Sequence, residues 1–320
     1  MTVNTIESEI EVPVIDISGY LQNDKTQTKD IVAAVRSACK YPGFFQITGH
    51  SVSADLRAQT LQSLQDFFGL PQDVKMQVHR TKSECFTGYE IVGEQKVGTG
   101  GDQKEGFMIG PEPFPGTSLE VANQWPEESV CPGLKGTFMQ YYNEVRQLSK
   151  YMFRLLALSL DLEETYFDKF VASRDYQAMS MCKAHRYPPT TKEMADKTRG
   201  IGAHTDWGAL TLLLQDEVGG LEVYYEPKDK WYPVKYVPDA YVVNIGDMME
   251  RWTNNRYKST RHRVNSPVSG NYRYSIGLFN EGLLDQMLEC IPTCLAEGEE
   301  PLHKPIKVET HLRACYEATY

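Results

Sequence analysis

The residues best suited to chemistry in this chain are two histidines and an aspartate: His204, Asp206 and His262. His204 and Asp206 are separated by one residue, and residues i and i+2 of a β-strand project from the same face. A later strand carrying His262 alongside them would complete the facial triad that binds iron(II) and leaves coordination positions open for substrates and O₂. Because the chain has seven His and 43 acidic residues, such a set also arises by chance, and these three residues alone do not establish a metal site.

A second set of residues has the chemistry of an anion-binding site. Arg273 and Ser275 lie in the segment NYRYSIGLF, and Tyr187 stands just before two prolines. On a strand Arg273 and Ser275 share a face, where the guanidinium matches a carboxylate and the hydroxyl adds a donor. A charge among apolar and aromatic residues is costly unless it is paired, so we expect Arg273 to bind a carboxylate, with Tyr187 adding a phenol. The alternatives are a surface ion pair for Arg273 and ordinary strand packing for Ser275 and Tyr187.

Local sequence patterns predict a first half rich in helix and a second half rich in strands. Apolar residues spaced three and four apart indicate helices at 28–39, 53–68 and 134–160. After about residue 177, short strand-like runs recur between turn signals such as DEVGG and SPVSGN, a pattern typical of a sandwich or barrel. The strands predicted there are 178–187, 210–215, 221–225, 241–245, 261–264 and 272–279; earlier strands are predicted at 12–17 and 43–48, with short ones near 88–92 and 105–108.

The composition is that of an ordinary globular chain, with 41% hydrophobic and 24% charged residues among 320. The net charge of −10 argues against nucleic acid as a partner. The seven Cys include no C-x-x-C pair, which favours reduced thiols. The first 11 residues lack the apolar core of a signal peptide, and no run approaches the roughly 18 apolar residues of a membrane span. We therefore expect a cytoplasmic protein that binds a small molecule rather than nucleic acid or membrane; its oligomeric state is not predicted.

Longer motifs around these residues resemble a known family. The runs GAHTDWGALTLLLQD, VNIGDMMERWTNNRYKSTRHRV and YRYSIGLF resemble the iron(II)/2-oxoglutarate-dependent dioxygenases of the isopenicillin N synthase-like superfamily. The segments VPVIDIS, GFFQITGH and FFGLP are similar to the N-terminal region of that family, so the resemblance extends from about residue 10 to 280. It implies Fe(II), 2-oxoglutarate and O₂ as cofactors. The implied iron ligands are His204, Asp206 and His262, and the implied partners of 2-oxoglutarate are Arg273, Ser275 and Tyr187.

The resemblance also implies the fold class. It is an α+β fold in which a double-stranded β-helix (a jelly roll, cupin-like) is flanked by helices and preceded by a mixed N-terminal region. We expect four segments within one compact unit: an N-terminal region of strands and helices (1–120), a long supporting helix region (121–177), the jelly-roll core (178–285) and a C-terminal helical extension (286–320).

The activity implied is oxidation, in the first place hydroxylation, of an unactivated C–H bond of a small molecule, coupled to conversion of 2-oxoglutarate to succinate and CO₂. An oxidase or cyclase of the isopenicillin N synthase type, which uses no 2-oxoglutarate, is the first alternative, because such relatives can retain the Arg and Ser. A non-catalytic ligand receptor on the same scaffold is the second. A structural zinc protein is the third, although structural zinc sites have four ligands. No side chain is assigned as a catalytic acid or base.

The substrate pocket is predicted from strand alternation and from the resemblance. If Tyr187 faces the cavity, Lys183 and His185 share its face and are expected to contact a polar or anionic substrate; Lys183 lying along the barrel rim is the alternative. The resemblance assigns no chemistry to His50 or to the turn VNIGD at residues 243–247. Further substrate candidates are Lys104, Glu105 and Phe107 near the entrance, where a packing loop is the alternative, and Phe279 and Asn280 after Ser275.

Overall fold

The computed structural model describes residues 11–83, 86–95, 101–111, 123–172, 178–195 and 197–319. The expected boundary between residues 120 and 121 and the first 10 residues lie outside these ranges. The strands are β1 (Val14–Asp16), β2 (Phe44–Thr48), β3 (Gly88–Glu90), β4 (Glu105–Ile109), β5 (Met179–Tyr187), β6 (Ile201–His204), β7 (Leu210–Gln215), β8 (Leu221–Tyr225), β9 (Lys230–Pro233), β10 (Tyr241–Ile245), β11 (His262–Val264), β12 (Arg273–Gly282), β13 (Met287–Leu288) and β14 (Ile306–Lys307). The helices are α1 (Ser18–Leu21), α2 (Lys25–Lys40), α3 (Ala54–Gly69), α4 (Gln72–Lys75), α5 (Leu134–Ser159), α6 (Asp168–Ala172), α7 (Lys192–Ala195), α8 (Asp247–Trp252) and α9 (Val308–Thr319).

Two sheets face each other and form the core of the fold. The larger has the strand order β1-β2-β10-β7-β12-β5-β4-β3, and the smaller has the order β6-β11-β8-β9. Neighbouring strands are antiparallel throughout the two sheets except for the parallel pair β1 and β2. The two edges of the larger sheet are therefore formed by strands β1 to β4, which precede residue 110, and its centre is formed by strands that follow residue 178. The expected jelly-roll core with flanking helices is confirmed.

Alternation along the strands separates two apolar cores. On β12, Ile276 and Leu278 belong to the core that includes buried residues of α2, α3 and α5, whereas Arg273 and Ser275 project from the opposite face. The second core lies between the two sheets, because its members come from both. We call the space between the sheets the barrel interior; the buried apolar residues of its core are Phe44, Tyr187, Leu221, Val223, Val234, Val242 and Val264.

Two of the helices that support the larger sheet begin at residues whose side chains cap the helix N-terminus. The side chain of Asp24 accepts hydrogen bonds from the first backbone N–H groups of α2, and Ser53 Oγ accepts one from Leu56 N at the start of α3. Helix α5 buries an apolar stripe that includes Val145, Leu148 and Met152, as its periodicity predicts. In the described part of the chain, no helix combines the length and apolarity that crossing a membrane requires.

Some elements were not predicted from local patterns. Strand β6 is four residues long and contains Gly202, and β9 contains Lys230 and Pro233, so neither shows a clear alternation of apolar residues. The short helix α8 was also missed. The C-terminal segment contains the strand pair β13 and β14 as well as helix α9, so it is not purely helical.

Candidate active site

Pairing of two short strands brings the three predicted metal ligands together. In the smaller sheet His262 of β11 is the direct register partner of His204, the last residue of β6. Asp206 lies two residues beyond the end of β6 rather than within a strand, yet its Oδ1 is 3.7 Å from His204 Nε2 and 3.6 Å from His262 Nε2. One ligand atom from each residue lies within 4.8 Å of the others, so a single metal ion can contact all three.

Backbone carbonyls orient both imidazoles toward this point. His204 Nδ1 lies 2.8 Å from Gly202 O, and His262 Nδ1 lies 3.1 Å from Thr260 O. Protonated Nδ1 atoms donate to these carbonyls, which directs both Nε2 lone pairs toward the metal position, as hydrogen bonds to metal-binding imidazoles commonly do. Burial and the neighbouring His262 lower the pKa of His204 to about 4, so its imidazole is neutral at physiological pH, the form that binds metal.

The carboxylate of Asp206 is held by two residues that the sequence analysis did not assign to the site. Its Oδ2 accepts hydrogen bonds from Thr211 Oγ1 at 2.5 Å and from Asn244 Nδ2 at 2.7 Å, which leaves Oδ1 facing the two histidines. Asn244 belongs to the segment VNIGD, which was expected to be a turn without chemistry, but the structure places this residue within β10. It positions a candidate ligand, because β10 and β7 pair Asn244 directly with Thr211. Only this non-local pairing identifies the two residues.

Arg273 is the predicted anion-binding residue, and its side chain lies in the barrel interior. The residue is fully buried, and its Nη1 and Nη2 donate to Ser275 Oγ at 3.2 Å and Gln215 Oε1 at 3.1 Å. Its guanidinium lies 4.7 Å from the ring centroid of Tyr187, its register partner on β5. Within the described residues, Arg273 Nε and Gln215 Nε2 are buried without a hydrogen-bond partner, and no carboxylate is within 4.0 Å of the guanidinium. Unpaired buried donors around a buried cation fit an incoming carboxylate.

Two predicted substrate contacts, Lys104 and Lys183, both form ion pairs with one glutamate. Glu90 Oε1 accepts from Lys104 Nζ at 2.6 Å, and Glu90 Oε2 accepts from Lys183 Nζ at 2.7 Å. Burial opposes ionisation of Glu90, but the charges of Lys183 and Lys104 outweigh it and hold its pKa far below the usual value. None of the Lys104 side chain is exposed, whereas Lys183 retains 11% side-chain exposure, so a substrate contact of Lys104 stays a prediction and Lys183 is the more accessible of the two.

His185 lies between the lysine pair and the anion-binding position. It is buried, it is the register partner of Ser275, and its ring centroid is 5.9 Å from that of Tyr187. Burial, with Lys104 and Lys183, holds the pKa of His185 well below its ordinary value. The imidazole is therefore neutral and lies in a positive local field, which favours an acceptor or an anion beside it.

The remaining substrate candidates divide between the two faces of the larger sheet. Phe107 packs on Phe67, with ring centroids 4.5 Å apart, in the core toward the helices. Glu105 binds Lys75 and Arg186 on the same side. The expectation that Phe107 and Glu105 line the entrance is wrong, because strand alternation gives the interior face of β4 to residues 104, 106 and 108.

Beyond Ser275, β12 also sends alternate side chains to opposite faces. Asn280 points toward the helices, where its amide bonds Ser149 Oγ and Leu210 O, so it does not line the cavity. Phe279 is on the interior face, since a Cβ added to Gly277 would lie 2.9 Å from Phe279 Cζ. His50 lies elsewhere, with Nε2 at 2.8 Å from Asp239 O.

The fold and this arrangement define a class of protein: a jelly-roll protein whose interior holds a two-histidine, one-carboxylate cluster able to bind a metal and a buried arginine with unpaired donors. Comparisons with known proteins agree with this class. The sequence model of the 2OG-Fe(II) oxygenase superfamily matches residues 176–282, and that of the N-terminal region of non-haem dioxygenases in morphine synthesis matches residues 12–128. The chain belongs to the 2-oxoglutarate/Fe(II) oxygenase superfamily, and it is a 2-oxoglutarate-dependent dioxygenase with Fe(II), 2-oxoglutarate and O₂ as cofactors.

Individual relatives cover almost the whole chain. It is 40% identical over 321 residues to the 2-oxoglutarate-Fe(II) type oxidoreductase hxnY of Emericella nidulans, covering 96% of this chain and 90% of that relative. It is 37% identical over 286 residues to the 2-oxoglutarate-dependent dioxygenase caaD of Aspergillus niger, covering 87% and 86%. Among solved structures, a full-length Neurospora crassa protein in complex with alpha-KG superposes with a TM-score of 0.88 at 30% identity over 98% of both chains. The same Neurospora crassa protein in complex with alpha-KG and thymine gives a TM-score of 0.87 at 28% identity over 98% of both chains.

Proposed function

We propose that His204, Asp206 and His262 bind the ferrous ion of this dioxygenase and that Arg273, Ser275 and Tyr187 bind the distal carboxylate of 2-oxoglutarate. The observation that carries this assignment is the convergence of three ligand atoms on one point of the barrel, together with the buried, incompletely bonded guanidinium in the same interior. Phe44 links the two positions, because its ring lies 5.2 Å from that of His262 and it shares the interior core with Tyr187.

The reaction proposed is hydroxylation of a C–H bond in a polar small molecule. Iron bound with 2-oxoglutarate supplies the oxidation: one substrate, one 2-oxoglutarate and one O₂ give the alcohol, succinate and CO₂. The protein's own residues hold the ligands, orient the cosubstrate through Arg273, and surround the reacting C–H with an interior of apolar residues. No side chain has to remove a proton, so none is assigned as an acid or base.

A screen of small molecules for succinate release tests this function, with His204→Ala as the blank. Hydroxylation requires one succinate for each product molecule, whereas an oxidase or cyclase of the isopenicillin N synthase type forms product without succinate. The names of the relatives favour the 2-oxoglutarate-dependent reaction. Iron-dependent product formation without any succinate would contradict the proposal, and binding of ligands without O₂ consumption would indicate a receptor.

Replacing Arg273 should weaken the binding of 2-oxoglutarate. In Arg273→Leu we expect the KM for 2-oxoglutarate to rise at least about 30-fold, because removing one partner of a buried charge pair typically costs about 2–5 kcal/mol. Steady-state kinetics with varied 2-oxoglutarate measure the change. Arg263→Leu is the matched control. Arg263 on β11 already forms an ion pair with Glu222 on β8 at 2.7 Å, so its replacement should leave the KM for 2-oxoglutarate unchanged. An unchanged KM in Arg273→Leu, with wild-type circular dichroism, would assign the carboxylate to another residue.

We further propose that Lys183, His185 and Phe279 line the substrate pocket and that Lys183 contacts an anionic or strongly polar group of the substrate. An ammonium group donates three hydrogen bonds, and two from Lys183 go to Glu90 and Gln95 within the described residues. Burial lowers the pKa of Lys183 to about 8, which is still high enough for a positive charge at neutral pH. The neutral His185 beside it offers a second polar contact, and Phe279 offers an apolar one.

Replacing Lys183 tests this assignment on the compound found in the succinate screen. In Lys183→Met we expect the KM for that compound to rise about tenfold, the loss of one charge-assisted hydrogen bond, while the KM for 2-oxoglutarate stays within twofold. Lys150→Met, on the outer face of α5 beside Asp168, is the control. A merely structural role of Lys183 would lower the melting temperature and alter both KM values together, and that result would remove Lys183 from the pocket.

A further inference from the structure

Glu281 is a partly buried carboxylate near the end of β12 that none of the assignments above uses. Its neighbours on both sides face the helices: Asn280 bonds Ser149, and a Cβ added to Gly282 would lie 1.8 Å from the ring of Phe170 in α6. The pairing of β12 with β5 shifts register between Asn280 and Gly282, but both of these residues face the helices, so Glu281 between them faces the barrel interior, the side that Phe279 also faces.

The carboxylate lies beside the loop that carries the candidate iron ligand Asp206. A Cβ added to Gly208 would lie 3.6 Å from Glu281 Cγ, and Ala209 N donates to Asn280 O at 2.8 Å. Burial raises the pKa of Glu281 to about 7, and the charge of Asp206 contributes to that rise. Glu281 is therefore close to the metal position without being one of its three ligands.

Glu281 differs from the other buried carboxylates in having no partner within the described residues. Glu90 accepts from two lysines and an arginine, Glu105 from a lysine, an arginine and a tyrosine, and Asp206 from Thr211 and Asn244. Within the described residues, no cation forms an ion pair with Glu281. An unpaired, partly desolvated carboxylate is costly, and a hydrogen-bond donor delivered by a ligand would offset that cost.

We propose that Glu281 is a specificity-determining residue that accepts a hydrogen bond from a nitrogen-bound hydrogen of the substrate. This inference rests on the proposed function, since it places the substrate between Glu281 and the metal position. Such a hydrogen belongs either to a neutral ring amide or to an ammonium group, and a carboxylate without a protein partner accepts from both. Substrates of this chain therefore carry an N–H close to the C–H that is oxidised.

Calorimetric binding to the full-length protein, loaded with Mn(II) in place of iron and with 2-oxoglutarate, tests the proposal without turnover. Two probe pairs differ in their N–H groups: thymine against 1,3-dimethylthymine, and benzylamine against N,N,N-trimethylbenzylammonium. For at least one pair we expect the probe with N–H groups to bind wild type with a Kd at least about tenfold lower than that of its N-methylated counterpart. Glu281→Leu should lose that preference, whereas Asp285→Asn, at an exposed acid four residues on, should keep it.

The variant Glu281→Gln distinguishes an N–H of a neutral ring amide from an N–H of an ammonium group. A glutamine oxygen still accepts from a neutral ring amide, so thymine binding would persist, whereas binding of the ammonium probe would fall with the lost charge. The proposal is overturned if wild type binds both members of each pair equally, if Glu281→Leu binds the N–H probe as tightly as wild type, or if no probe binds the loaded protein. Loading the wild-type protein with Mn(II) and 2-oxoglutarate, before any probe is added, tests the proposed function separately. A protein that binds neither of them would contradict the proposed function.

Discussion

His262→Ala is expected to lose iron while keeping its fold. The substitution removes one of three convergent ligand atoms, and the loss of a supporting hydrogen bond alone typically costs 10- to 100-fold in metal affinity. Removing the ligand itself should cost at least as much as removing its hydrogen-bond partner, so we expect the affinity for iron to fall at least about 100-fold. Anaerobic titration with Fe(II) measures the affinity, and succinate release should fall to the level of the metal-free enzyme.

The matched control for this prediction is His50→Ala. His50 contacts Asp239 O and the ring of Tyr241, whose centroid is 4.9 Å from its own, and neither of these residues is a candidate iron ligand. The variant should bind one equivalent of iron as wild type does. If His262→Ala also retained stoichiometric iron, with wild-type circular dichroism, the metal would have a different set of ligands and the assignment of His204 and Asp206 would fail with it.

Glu90→Gln should produce the largest loss of stability. Glu90 is 2% exposed in its side chain and forms ion pairs with Lys104, Lys183 and Arg80. Its replacement leaves two buried ammonium groups without their shared counterion, and breaking a buried ion pair in this way costs about 3–5 kcal/mol. Urea unfolding followed by circular dichroism measures the change in the free energy of unfolding.

The same variant should recover part of its stability at high pH. Burial already lowers the pKa of Lys183 to about 8 in the folded protein, and without Glu90 it falls further. A lysine whose pKa is depressed on folding binds fewer protons in the native state, so stability rises with pH between its folded pKa and the unfolded value of about 10.4. The gap in the free energy of unfolding between Glu90→Gln and wild type should therefore narrow as the pH is raised toward about 8, above which Lys183 loses its proton in wild type as well.

Glu94→Gln is the control for the buried cluster. Glu94 also binds Arg80, but 23% of its side chain is exposed, so its loss should cost no more than about 1 kcal/mol. Equal destabilisation by the two substitutions, or a gap that does not change with pH, would show that Lys104 and Lys183 do not depend on Glu90 for their charge.

Two pairs of candidate site residues could be predicted from the sequence because the members of each pair are close in the chain, whereas the distant His262 was assigned with them through the longer motifs that resemble the family. His204 and Asp206, like Arg273 and Ser275, are separated by one residue, and the two-residue period of a strand relates the members of each pair. Strong apolar periodicity likewise predicted α2, α3, α5 and most strands of the larger sheet. Asp206 lies just past β6, however, so its approach to the histidines depends on the loop held by Thr211 and Asn244.

The supporting residues could not be found in this way, because alternation relates residues within one strand but does not say which face becomes the interior. That choice depends on which strands become neighbours. Pairing of β4 with both β3 and β5 turned Lys104 inward toward Glu90 and sent Phe107 to the helices. Partners such as Gln215 for Arg273, 58 residues away along the chain, become visible only when distant strands meet, since a hydrogen bond between them leaves no mark on the spacing of either segment.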